Sequence, residues 1–156
     1  MEVYRGTQEI KQLEKRKGGY YHLTLPAEIV NQFEHKKATR LICGLDDWVS
    51  FRCGLNHLGD GNLYVIVATK QLDTLGKQLG DKVDFEITID PDQLGVEMPE
   101  ALQVLLDQDP ALKQVFDKIT NGKKRSLIYS INKVKDIDKQ VKQIIDFLNQ
   151  ESLKLK

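Results

Sequence analysis

Residues 23–44 read LTLPAEIVNQFEHKKATRLICG, and residues 65–86 read VIVATKQLDTLGKQLGDKVDFE. Set side by side, 42 residues apart, Pro26 falls on Ala68, Val30 on Leu72 and Phe33 on Leu75. Farther along, Ala38 falls on Gly80, Arg40 on Lys82, Leu41 on Val83 and Cys43 on Phe85. Almost no residue is identical, yet the apolar positions coincide. Each copy reads as a strand, a short helix, a polar turn and another strand. Two pseudo-symmetric halves closing one barrel require this kind of match, because burial selects for apolarity and not for identity. Gly80-Asp81 is then the turn that reverses the second short helix into its last strand. Glycine permits the backbone conformation, and aspartate can bond to nearby backbone N–H groups.

Working outward, Tyr21, Leu23 and Leu25 alternate with Tyr20, His22 and Thr24 as in a half-buried strand. Lys17-Gly18-Gly19 before it suits a hairpin turn, which makes EVYRGTQEIKQLE (residues 2–14) the expected partner strand. A second hairpin is expected between WVSFRC (48–53) and NLYVIVA (62–68), with Gly59-Asp60-Gly61 at its tip. After Asp90-Pro91-Asp92 the period changes to that of helices. Pro99 suits a first helical position, and Asp109-Pro110 is a cap-and-start signal for a second helix. That helix carries Leu112, Val115, Phe116 and Ile119 and is expected to end at Asn121-Gly122. A third carries Leu127, Ile128, Ile131 and Val134, and a fourth places Ile137, Val141, Ile144, Ile145 and Leu148 on one face. The expected organisation is a β-barrel over residues 1–95 and a helical tail over 96–156.

The 156 residues, 40 % hydrophobic and 29 % charged, describe a folded domain and not a disordered one. The longest apolar run, Leu63 to Ala68, is far short of the roughly 20 residues that span a bilayer, so no membrane partner is expected. The polar stretch MEVYRGTQE lacks the apolar centre of an export signal, and two cysteines are too few for a disulfide scaffold. The expectation is a cytoplasmic protein. Net charge is zero but unevenly spread, acidic before residue 99 and basic after it. The basic excess peaks between Lys123 and Lys142, a patch weaker than most nucleic-acid footprints.

No catalytic constellation stands out. His22, His35 and His57 are scattered without metal-ligand spacing, and Cys43 and Cys53 form no CxxC pair. No GxSxG motif occurs, and Gly59-Asp60-Gly61 is too short for a phosphate loop. Asp90 and Asp92 flank a proline and read as a turn in preference to a cation site. Asp46-Asp47 reads as another turn. Trp48 beside it is a barrel-filling or rim residue by default, and otherwise a stacking surface for a ligand.

Several landmarks together resemble a bacterial family pair. They are Pro26 after an alternating strand, the Gly59–Gly61 tip, Lys70 after the next strand, and Gly80-Asp81-Lys82-Val83. Asp90, Met98-Pro99-Glu100, Ala101-Leu102, Pro110, Phe116 and the 131–135 segment complete the set. The first half resembles the domain of unknown function 1905, and the tail resembles the YdeI/OmpD-associated, or bacteriocin-protection, family. The resemblance implies a six- or seven-stranded double-split β-barrel, related in shape to AbrB-like swapped-hairpin dimers with both halves in one chain. It implies no established reaction. The tail family's Glu-Thr-Arg-x-x-Arg run aligns with Asp138 to Gln143, so Gln140 and Gln143 stand where the resemblance implies arginines.

The functional expectation is a non-catalytic binding module for a small molecule or protein, with no cofactor and no metal. Arg40, Trp48 and Lys70 are the candidate ligand or anion contacts. A nucleic-acid-binding regulator, by analogy with the AbrB-like shape, is the second reading, although the acidic first half suits it poorly. An enzyme without a recognisable motif is the third.

Overall fold

Leu41, Cys43 and Leu45 are sealed from solvent while Ile42 and Gly44 between them are not, the alternation of a strand with one face in a core. The same alternation recurs at Val83, Phe85 and Ile87, while at Leu63, Val65 and Val67 the intervening Tyr64 is buried as well. The computed structural model describes residues 3–155. The chain divides into two compact units, Met1–Gly95 and Val96–Lys156.

The first unit is built of two four-stranded antiparallel sheets. Its strands are Val3–Glu9 (β1), Lys11–Gln12 (β2), Tyr21–Leu25 (β3), Leu41–Leu45 (β4), Val49–Cys53 (β5), Asn56–His57 (β6), Leu63–Val67 (β7) and Lys82–Ile89 (β8). Helices Ala27–Val30 (α1) and Thr69–Leu75 (α2) follow β3 and β7. One sheet runs β1-β8-β4-β5 and the other β2-β3-β7-β6. Both contribute to one apolar core, which also takes Val30 and Phe33 from the first copy and Leu72 from the second.

Both copies of the repeat are strand–helix–strand, and their pairing has a definite centre. In the second sheet β3 meets β7 with Leu23 opposite Val65. In the first sheet β4 meets β8 with Gly44 opposite Glu86. Each of these pairs joins residues 42 apart in the chain. An antiparallel ladder in which equivalent residues face each other is what a two-fold relation between the copies demands.

The connections differ from expectation in three ways. Among the described residues no ladder joins the two sheets, so the barrel is not closed. The edge strands β2 and β6 are two residues long and offer too little ladder to bridge the gap. Second, β1 pairs with β8, and only Lys11 and Gln12 reach β3. The chain changes sheets at Ile10, whose N–H donates to the Asp81 carbonyl while its own carbonyl accepts from Gly80 N–H, both at 2.9 Å. Gly80, at φ +89°, thus makes a turn that also clamps the crossing strand. Third, β5 pairs with β4 through the Asp46-Asp47 turn, and β7 with β6 around Gly59–Gly61, so residues 48–53 and 62–68 are not one hairpin. Alternation identifies a strand but carries no information about its partner.

The second unit holds Glu100–Gln108 (α3), Pro110–Lys118 (α4), Asn121–Asn132 (α5) and Ile137–Lys154 (α6). Asp109 caps α4 by accepting from Ala111 and Leu112 N–H, with Pro110 at the first helical position. Asn121-Gly122 opens α5 instead of closing α4, because Thr120 caps the new helix by accepting from Lys123 N–H. α6 packs against α3, α4 and α5. Ile144 and Leu148 are wholly buried, Ile145 is half-buried, and Ile137 is 61 % exposed. The buried Glu151 carboxylate receives Lys123 of α5 at 2.9 Å. Gln140 and Gln143, where the resemblance led one to expect arginines, are spent internally: Gln140 donates to the Val134 carbonyl and Gln143 to the Ser130 hydroxyl.

Burial along α6 sets a graded expectation. Ile144→Ala should cost about 2–5 kcal/mol through lost transfer energy and a residual cavity, whereas Ile137→Ala should stay within about 0.5 kcal/mol. Urea unfolding of the two variants checks this, and equal midpoints would contradict the packing.

Candidate functional site

The turn between β4 and β5 places two consecutive non-glycine residues, Asp46 and Asp47, in the left-handed region at φ +52° and +53°. Such a two-residue turn matches the twist of a hairpin and normally recruits Asn-Gly or Asp-Gly. Asp46 is held by several bonds to its surroundings. Its N–H donates to the Asp84 carbonyl at 2.8 Å, and its carboxylate accepts from Asp84 N–H at 2.9 Å. The Lys77 ammonium lies 3.0 Å away. Partial desolvation works to raise the Asp46 pKa, but the Asp84 N–H and Lys77 together outweigh it and hold the carboxyl below its ordinary value of 3.8. Asp47, by contrast, makes no hydrogen bond or ion pair among the described residues, and Trp48 after it is 75 % exposed.

This turn rises at one end of a trough on the outward face of the first sheet. The floor is a row in register across four strands, Arg5 of β1, Glu86 of β8, Gly44 of β4 and Ser50 of β5. One hollow of about 410 Å³ is lined by Arg5, Gly44, Asp47, Asp84 and Glu86. A second, of about 290 Å³, shares Gly44, Asp47 and Glu86 and adds Trp48, Ser50 and Thr88. Gly44 opens the floor because it presents no side chain outward; a Cβ there would meet nothing nearer than the Glu86 carbonyl at 3.7 Å. Arg5 reaches Glu86 at 3.2 Å, an exposed pair worth little by itself. Thr7 donates to the Asp84 carboxylate at 2.6 Å. The trough therefore offers carboxylates and an indole face, with one guanidinium already engaged. Among the described residues no hydrogen bond joins the Ser50 hydroxyl to the Asp47 or Glu86 carboxylate that shares its hollow, the contact a serine nucleophile takes its activation from.

The three residues singled out from sequence are not brought together. Trp48 lines the trough, while Lys70 is exposed in the first turn of α2 and lines neither hollow. Arg40 is half-buried elsewhere. Its side chain runs between two glycines, where a Cβ would come within 2.4 Å of its Nη1 at Gly54 and 2.5 Å of its Nε at Gly95. Gln93 accepts from Arg40 N–H and donates to its carbonyl, fastening the segment after β8 to the start of β4.

Asp90 anchors the same segment. It is 2 % exposed and accepts from Arg52 Nε at 2.8 Å and Nη2 at 3.3 Å, and the same Nη2 also donates to the Asp92 carboxylate at 3.3 Å. Desolvation works to raise the Asp90 pKa, but Arg52 and the Asp92 N–H dominate and hold it low. Both aspartates thus serve a guanidinium. Burial pushes the nearby Cys53 thiol up to about 12 and Cys43 higher still, so neither is a thiolate nucleophile. His22 is buried against Tyr64, its Nδ1 makes no hydrogen bond among the described residues, and desolvation lowers its pKa. His35 and His57 are exposed.

Glu86 and Gly44 belong to no sequence motif, and Asp47 reads from sequence as half of a turn and not as a site residue. One signal was available for two of them: Gly44 and Glu86 are repeat-equivalent, and a glycine inside a strand often marks close approach of another group.

Two family models match the chain. One described as a domain of unknown function (DUF1905) matches residues 7–87, and one described as bacteriocin-protection, YdeI or OmpD-associated matches residues 95–150. Neither a curated protein nor a solved structure matches it.

The Asp46 carboxyl makes a pH prediction. A folded-state pKa below 3.8 contributes stability that is present above that value and is lost as pH falls through the lower one. Asp46→Asn keeps an acceptor and tolerates the left-handed turn but loses the charge facing Lys77. Its urea midpoint should lie below the parent's at about pH 7, and the gap should narrow as pH falls below the ordinary aspartate range. A gap that persists on acidification would show that the ion pair is not its source.

Proposed function

The chain belongs to the domain of unknown function 1905 family and carries a YdeI/OmpD-associated segment after it, and from that premise we propose that it is a non-catalytic binding module whose ligand lies in the trough over Gly44. The observation that carries this reading is the open floor at Gly44 beneath the exposed Trp48. An exposed large aromatic at the rim of a concave polar surface suits recognition, since it supplies contact area at small entropic cost. The direct pairing, in both ladders, of residues 42 apart supports a double-split, pseudo-two-fold β unit over residues 1–95, with the helical segment 96–156 as a separate part. Two buried free thiols, Cys43 and Cys53, suit a reducing cytoplasm.

Nucleic acid is the poorer reading. Phosphate would meet Asp47, Asp84 and Glu86 in the trough, and affinity for DNA rests on neutralising phosphates. In the basic stretch, Lys123 is committed to Glu151 and Lys124 lies over the Phe116 ring at 5.1 Å.

Backbone NMR against a charge-diverse fragment and peptide library tests the proposal. Perturbed amides should cluster at residues 42–50 and 84–88, and Gly44→Val, which fills the floor without a clash at Cβ, should abolish them. Duplex DNA added at about 0.15 M salt should leave the spectrum unchanged. Hits that map elsewhere, hits indifferent to Gly44→Val, or salt-sensitive micromolar binding of DNA would each overturn it.

A further inference from the structure

We propose that the trough takes an extended protein segment bearing an arginine or lysine, whose cationic head stacks on the Trp48 indole between the Asp47 and Glu86 carboxylates. This inference rests on the trough being the binding site and names what fills it. Three observations point to a cation. Trp48 presents an uncovered indole, the aromatic face that attracts cations most strongly. Asp47, which lines the same hollow as that ring, makes no ion pair among the described residues. The trough's guanidinium, Arg5, is already spent on Glu86, so added positive charge meets Asp47, Asp84 and Glu86 with little opposition. Complementary charge of this kind chooses the partner and speeds encounter.

The shape points to an extended segment. The two hollows share Gly44, Asp47 and Glu86, so they form one shallow channel crossing β1, β8, β4 and β5. Three inter-strand spacings span roughly 14 Å, the reach of about four extended residues. A small molecule would leave much of its surface in water there, whereas a chain segment fills the length and lays its backbone over Gly44. Such a segment lies across the strands and needs no free sheet edge.

Trp48 is the single tryptophan of the chain, so its fluorescence reports on this site alone. The probe is the capped peptide acetyl-Gly-Arg-Gly-Arg-Gly-amide, with the citrulline and glutamate versions as neutral and anionic counterparts. The arginine peptide should quench or shift Trp48 emission saturably, at least tenfold more tightly than the citrulline peptide. Asp47→Asn, which tolerates the left-handed turn, and Glu86→Gln should each raise its dissociation constant at least threefold. Equal response to the citrulline or glutamate peptide would overturn the inference, as would no saturable response to the arginine peptide up to about 5 mM, the limit of weak specific binding. Emission that changes with protein concentration alone would assign the trough to a second copy of this chain and overturn it equally. Neutral or anionic fragments that map to Gly44 by NMR while the arginine peptide fails would sink this inference and leave the trough reading standing. Failure of every probe there would sink both.

Discussion

The two ladders in which each copy of the repeat pairs with its own counterpart constrain everything else in the first unit. Leu23 lies opposite Val65 in one sheet and Gly44 opposite Glu86 in the other. At the first centre the side chains point inward, and both are sealed in the core. Substituting a polar group there would place it where no partner exists, so both copies must remain apolar. At the second centre the side chains point outward, and the core exerts no such demand. The copies have diverged there to glycine and glutamate. A floor without a side chain and a carboxylate beside it follow from that divergence.

The remaining elements of the unit secure these ladders. Ile10 lets the N-terminal strand serve both sheets, and the Gly80-Asp81 turn clamps it at the crossing by two backbone bonds. Arg52 on Asp90, together with Gln93 on the Arg40 backbone, closes the segment after β8 against β4 and β5. Asp46 holds the β4–β5 turn to β8 in a strained backbone conformation. Rigid support of this kind presents Asp47 and Trp48 at fixed positions, which lowers the ordering cost of recognition.

Most element types could be read from the sequence because burial writes its period directly into it: two for β4, β7 and β8, and near 3.6 for α4 and α6. The shift of 42 was readable for the same reason. Strand partners were not, since WVSFRC and NLYVIVA alternate well but lie in different sheets. Asn121-Gly122 misled because its composition suits a helix end, while the deciding group was the Thr120 hydroxyl one residue earlier. Arg40, Lys70 and Trp48 share a charge-and-ring chemistry in one dimension only; Arg40 is absorbed between Gly54 and Gly95, and Lys70 stands on α2. Asp47 and Glu86 belong to no motif. They meet because the Asp46-Asp47 turn, legible as a turn, adopts a left-handed form and a cross-strand register sets Glu86 opposite Gly44, and that register has no sequence signature of its own.

Cross-strand backbone NOEs read the self-pairing of the two copies without an intermediary. They should join Leu23 to Val65 and Gly44 to Glu86, with Arg5 also contacting Glu86. Contacts from Phe51 to Val65, the signature of a hairpin between residues 48–53 and 62–68, would contradict it.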